Sequence, residues 1–176
     1  MSKINAKQKG NRGERELVHI LDARFGEGRF RRTPSSGAIT GGSNRAISEN
    51  LDLESKLTLA SDIIAPIDFR FVIEHKAYEA ASFWDLFNPG AELNKWLQQV
   101  EDDSEFVNRE SMLVCKYNRH ERICYIKDNI EELQRFVYQG WSCYVLADLL
   151  EKTPDDFWFI GDTDESTRLS NRVSNR

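Results

Sequence analysis

Asp62-Ile63-Ile64-Ala65-Pro66-Ile67-Asp68-Phe69-Arg70-Phe71-Val72-Ile73-Glu74-His75-Lys76 is the stretch from which the fold of this chain is read. Two short apolar runs flank a turn signal at Pro66 to Asp68, the pattern of a β-hairpin. Charged groups stand where strands are normally apolar: Asp62 opens the first run, and Glu74 and Lys76 close the second. Side chains two apart on a strand point to one face, so Glu74 and Lys76 project together. A hairpin brings Asp62 back towards that pair. Two carboxylates and an ammonium on a sheet make a site for a hard cation with a lysine beside it. His75 alternates with Glu74 and faces the other way, so its side chain is read as a core or supporting group rather than a ligand.

Upstream, the pattern is helical from Asn11, with Leu17, Val18, Leu21 and Phe25 at helical spacing. The same stripe reaches back to Glu14. A core-facing carboxylate is costly unless something pairs with it; the plainer reading is that Glu14 favours the first helical turn through the dipole. Gly10 and Gly13 leave room for a backbone or a phosphate to approach. Gly26 to Gly28 end the helix, and Arg29 to Thr33 form a short arginine-rich strand leading to Pro34-Ser35-Ser36-Gly37. Residues 38–60 read as an inserted loop or small helix.

Downstream, residues 91–103 form an amphipathic helix, with Leu93, Trp96, Leu97 and Val100 on one face. Trp96 and Trp84 are read as packing residues. Met112 to Tyr117 and Arg122 to Ile126 are strands around a turn at Asn118 to Glu121. Asn129 to Tyr138 is expected as a helix, Ser142 to Leu146 as a strand, and Leu146 to Lys152 and Phe157 to Ile160 as short closing elements. This order implies one α/β domain over residues 1–160, with a mixed central sheet flanked by helices. Residues 1–10 are expected to be a mobile basic arm and residues 161–176 a polar, disordered tail.

The net charge of −5 argues against a protein that coats nucleic acid indiscriminately. Its distribution is uneven: residues 1–45 hold ten Lys or Arg against four Asp or Glu, leaving fourteen basic and twenty-five acidic residues for 46–176. Such polarity fits one face that attracts phosphate, or alternatively a solvated basic arm. Cys115, Cys124 and Cys143 have neither disulfide nor zinc spacing; they read as buried thiols in a reducing cytoplasm. No apolar run is long enough for a membrane span, and Met1 to Gly10 lack the apolar core of a secretory signal.

The triplet Glu-x-Lys alone carries little, since 29 acidic residues and nine lysines in 176 positions produce about one or two by chance. Glu54-Ser55-Lys56 is such a triplet in a polar stretch. Glu74-His75-Lys76 instead ends a buried strand, with Asp62 upstream. Taken with three further segments, it resembles the PD-(D/E)xK nuclease superfamily and, more narrowly, the archaeal-type Holliday-junction resolvases that also occur in viruses. Lys9-Gly10-Asn11-Arg12-Gly13-Glu14-Arg15-Glu16-Leu17 follows that family's Lys-Gly-x-x-Gly-Glu-Arg-x-Leu helix. Arg32-Thr33-Pro34-Ser35-Ser36-Gly37 follows Arg-x-Pro-x-Ser-Gly, and Ser61-Asp62-Ile63-Ile64-Ala65 the first acidic strand. The chain departs from the pattern between Gly37 and Asp62, where about fifteen or more residues are inserted relative to usual loop lengths.

The resemblance implies a restriction-endonuclease-like fold and a Mg²⁺- or Mn²⁺-dependent endonuclease. Asp62 and Glu74 would hold the cation, with the backbone carbonyl of His75 as an extra ligand and Glu14 joining directly or through a water. Lys76 would orient or help activate the attacking water and offset charge on the phosphorane, and Ser36 would contact the scissile phosphate or a metal-bound water. Lys9, Arg12, Arg15, Arg29, Arg31 and Arg32 would bind backbone phosphates, giving affinity without base reading. The implied substrate is a four-way DNA junction, cut by paired symmetric nicks with 5′-phosphate ends, by a homodimer in the cytoplasm, or in a host cell's cytoplasm if viral. Three other readings remain: a nuclease of the same fold acting on flaps, ends or duplex in repair or restriction, a catalytically silent DNA-binding protein, and a protein-interaction module with an acidic surface.

Overall fold

Leu17 and Leu21 are fully buried on one stripe of the first helix, α1 (Ala6–Phe25), which starts five residues before the expected Asn11, so residues 6–10, expected in a mobile arm, are helical. The computed structural model describes residues 6–34, 51–78, 88 and 92–161. Gly26, at φ 118°, ends α1 in a conformation that favours glycine. Asp22 then organises the exit: its carboxylate accepts from the backbone N–H groups of Gly28 (3.1 Å) and Phe30 (2.9 Å). The chain enters β1 (Arg31–Arg32) and resumes with α2 (Leu53–Leu59), whose N-cap Asp52 accepts from Ser55 N–H at 2.9 Å.

β2 (Ile63–Ile64) pairs antiparallel with β1, placing Arg32 opposite Ile63. β3 (Phe71–Tyr78) follows, then α3 (Glu92–Val107), β4 (Glu110–Tyr117), β5 (Arg122–Ile126), β6 (Phe136–Tyr138), β7 (Trp141–Val145), α4 (Leu146–Lys152) and α5 (Asp155–Trp158). The main sheet runs β3-β4-β5-β7-β6. β3 and β4 are parallel, joined across α3, and the other pairs are antiparallel. The fold is therefore α/β with a mixed central sheet flanked by helices, as expected.

Strand alternation divides the core. Phe71 and Ile73 face α1 and join Leu17, Leu21, Met112, Val114, Ile126, Tyr144, Leu149 and Trp158. Leu113, Cys115, Tyr125 and Cys143 face α3 and meet Leu93, Leu97 and Val100. Trp96 packs at the margin of this second cluster, 5.3 Å from the Tyr78 ring, as a packing residue should. All three cysteines are buried and unlinked. Trp84 lies outside the described residues.

Two expectations are corrected. Asp62 does return to β3, but not through a hairpin ladder. Asp62 N–H donates to Ile73 O at 3.1 Å, while β2 takes β1 as its ladder partner. Phe69 and its neighbours are drawn instead to the chain's last described residues: Arg70 N–H donates to Trp158 O (2.8 Å) and Ile160 N–H to Asp68 O (2.7 Å). The cause is aromatic packing, since the Phe69 ring meets those of Phe25, Phe30, Trp158 and Phe159.

The second correction is the helix expected over Asn129 to Tyr138. Turns end in β6 there, because Gln139 (φ 48°) and Gly140 (φ 79°) form a two-residue hairpin link to β7. Positive φ at both central positions is the type I′ signature, matched to strand twist, and it overrides the helical spacing. Tyr144 ties down the approach, its hydroxyl donating to Asp128 O and accepting from Ile130 N–H.

Candidate active site

The edge of β3 opposite β4 is where the charged residues collect. Asp62 is buried and pinned twice, through its own N–H on Ile73 O and through Oδ2, which accepts from His75 N–H at 3.0 Å. Glu74 and Lys76 point from β3 to the α3 side, as period-two alternation requires, and form an ion pair. Gln99 of α3 completes the contact: its Nε2 donates to Glu74 Oε1 at 2.8 Å, and its Oε1 accepts from Lys76 Nζ at 3.1 Å.

Glu74 is only 4 % exposed. Burial, then the charge of Asp62, raise its carboxyl to about 8 despite the adjacent Lys76; Asp103 of α3 pushes the same way. Glu14 comes from α1 and is also buried, so its carboxyl is raised by burial first and by Asp62, against the opposing hydrogen bond and charge of Arg32 and the charge of Lys76. Arg32 pairs with Glu14 through Nε and donates from Nη2 to Asn11 Oδ1 at 3.0 Å. Thr33 fixes the β1 end of this arrangement, donating its N–H to Asp62 O and its hydroxyl to Ser61 O.

His75 faces α1, on the side of the sheet opposite Glu74. Its ring lies against Gly13, where a Cβ would fall within 3.0 Å of Nε2. The close approach that Gly13 permits is thus made by the histidine. Both ring nitrogens are buried without a hydrogen-bond partner among the described residues, and burial, reinforced by Arg122, lowers the imidazole to about 4. The ring is a neutral spacer between β3 and α1, in keeping with a supporting side chain.

Among the predicted phosphate contacts, Arg12 is exposed and paired with Glu16 (2.8 Å), which also accepts from Arg122 (2.7 Å). Arg15 and Arg31 are exposed. Arg29 donates to Phe25 O and lies over the Phe159 ring. Arg32 turns inward to Glu14. Ser36 and the Lys9 side chain lie outside the described residues.

Gln99, Asn11 and Asp103 escaped the sequence reading. The available signal was a run of polar residues on the packed side of α3, Gln99, Asp103 and Ser104, the last two buried.

The donor set suits a hard cation. Two buried carboxyls, each held up in part by the charge of Asp62, leave a local excess of acid that a divalent ion would neutralise. Among the described residues, no three His, Cys, Asp or Glu side chains close around one point. A cation bound by one or two carboxylates and otherwise by water fits that arrangement, which is the habit of Mg²⁺. Among the same residues, no helix is long and apolar enough to cross a membrane.

A family model described as "phage putative PDDEXK endonuclease" matches residues 5–153. No curated protein and no solved structure matches the chain.

Proposed function

The chain belongs to the phage PDDEXK endonuclease family, and from that premise we propose that it is a divalent-cation-dependent DNA endonuclease that resolves four-way junctions as a symmetric dimer. The supporting observation is the meeting of Asp62, Glu74 and Lys76 at one sheet edge, with Glu14 arriving from α1. The family suggests a nuclease acting on DNA, and the junction is the finer step. It rests on the four sequence segments that resemble those of the resolvases and on symmetry: a two-fold junction needs two opposed cuts, which a two-fold dimer supplies.

In this reading Asp62 and Glu74 would hold Mg²⁺ or Mn²⁺, with the His75 backbone carbonyl as an extra ligand and Glu14 joining through a metal-bound water. When bound, such an ion neutralises charge developing on the phosphate and acidifies water. Lys76 donates hydrogen bonds to the attacking water and to a non-bridging phosphate oxygen, and Ser36 contacts the same phosphate. Water oxygen bonds to phosphorus, the bond to the 3′ oxygen breaks, and the products carry a 5′-phosphate and a 3′-hydroxyl. Lys9, Arg12, Arg15, Arg29 and Arg31 hold the backbone on either side, while Arg32 divides its charge between phosphate and Glu14.

An immobile synthetic junction tests this. Paired symmetric nicks in Mg²⁺ are expected from the native chain, with Asp62→Ala and Glu74→Ala abolishing cleavage while retaining binding. Cleavage by either variant would remove these carboxylates from the mechanism. Preference for flaps, ends or linear duplex would replace the junction by another substrate of the same chemistry. Salt-sensitive binding without cleavage would leave only a DNA-binding protein.

A further inference from the structure

Gln99 belongs to no motif, yet it touches both functional side chains of β3. Its orientation is fixed by its partners. Lys76 has only N–H groups to offer, so it must face the amide oxygen, which leaves the amide nitrogen for Glu74. The amide is carried on α3, whose Leu97 and Val100 are packed against the sheet, so its mount is rigid. Lys76, by contrast, ends a flexible four-carbon stem and is held at its tip by Glu74 and Gln99.

We propose that Gln99 is a positioning residue that keeps the Lys76 ammonium beside Glu74 when Glu74 turns its carboxylate to a divalent cation. The inference rests on the reading of Asp62, Glu74 and Lys76 as a cation and phosphate site. Glu74 Oε1 accepts from both Lys76 and Gln99. A cation on that carboxylate competes for the same lone pairs and repels the ammonium. Lys76 then loses its stronger anchor at the moment its position matters. Gln99 Oε1 is the acceptor left to it, and a neutral amide neither repels the cation nor takes a proton. Asparagine, one methylene shorter, falls short of the pair. Leucine keeps the volume without the polar ends, and glutamate keeps an acceptor for Lys76 but no donor for Glu74.

Trace acetylation of Lys76 by acetic anhydride, quantified by mass spectrometry without DNA, reports how far the amine is freed from its anchors, since only the accessible, unprotonated amine reacts. In the native chain the labelling rate is expected to stay within about twofold when Mg²⁺ replaces chelator, because Lys76 exchanges one anchor for the other. In Gln99→Leu it should rise about tenfold on adding Mg²⁺, and in Gln99→Glu it should stay low. In cleavage assays Gln99→Leu should lower kcat about 10- to 100-fold with KM for DNA unchanged, and Gln99→Glu should recover part of that loss. Gln99→Asn repeats the leucine result if Gln99→Leu does not fold. Equal Mg²⁺ responses in the native chain and these variants, or a loss confined to KM, would overturn the role of Gln99. A native chain that binds Mg²⁺ and shows the labelling pattern but cuts no DNA would refute the nuclease reading and leave Gln99 standing.

Discussion

Replacing Glu74 by glutamine is expected to stabilise the fold at pH 8 while abolishing cleavage. Burial and the neighbouring Asp62 raise the Glu74 carboxyl from 4.5 to about 8. That shift already includes the attraction of Lys76, so the charged form is disfavoured even with its ion pair in place. The sign follows from linkage. Between pH 4.5 and pH 8 the folded state holds a proton that the unfolded state has lost, so stability falls as pH rises through this window and levels off above it. One pKa unit corresponds to about 1.4 kcal/mol, which puts the full loss at roughly 3–5 kcal/mol. Glutamine has the same shape, can accept from Lys76, and carries no charge to bury.

Urea unfolding of both proteins, with chelator present, between pH 5 and pH 8.5 measures this. The variant's advantage should be near zero at the acid end and grow to a few kcal/mol at pH 8. Only the difference between the two curves matters, because other carboxyls titrate in both. Addition of Mg²⁺ at pH 8 should then restore the native chain by about 2.7 kcal/mol at a hundredfold excess over its dissociation constant, and leave Glu74→Gln unchanged. A difference that is flat with pH, or a native chain that is the more stable at pH 8 without cation, would refute the account of Glu74 as a buried acid awaiting a cation.

Two further substitutions probe the supports. Gly13→Ala drives a Cβ into the His75 ring and should cost about 1–3 kcal/mol in urea unfolding. The same change in a His75→Ala background should cost much less, and equal costs would show that the two do not meet. Arg32→Ala removes the cation beside a buried carboxyl, so Glu14 should take up a proton more readily. Stability should then drop by about 1–3 kcal/mol at pH 8 and by less at pH 5, and a loss independent of pH would assign Arg32 to packing alone.

Much of the architecture was legible because it is local. The α1 stripe, β4, β5, α3 and α4 are set by spacing within a few residues, and each formed near its expected position. What misled was set at a distance. Phe69 leaves the expected hairpin because its aromatic partners include Trp158 and Phe159, about ninety positions away. Residues 129–138 have apolar spacing that suits a helix, but the next two residues take a hairpin turn and hand Phe136 to Tyr138 to β7. Gln99 was invisible for a similar reason: its partners are 23 and 25 positions away on a strand, and no period in α3 marks it.

The two Glu-x-Lys triplets show which kind of information separates a site from a coincidence. In Glu54-Ser55-Lys56 the residues lie on α2, where positions two apart point to different sides; Glu54 is exposed and Lys56 lies over the Phe106 ring. In Glu74-His75-Lys76 the strand period puts the charged pair on one face and the histidine on the other. The same alternation buries His75 against α1, where only glycine at position 13 leaves room for its ring. That close fit lets α1 lie near enough to the sheet edge for Glu14 to feel the charge of Asp62. Apolar packing on both faces thus holds four poorly balanced polar residues, Glu14, Asp62, Glu74 and His75, each less than a tenth exposed. A fold that buries acid where it could have buried leucine departs from its own rule at one place, and such departures mark sites of function.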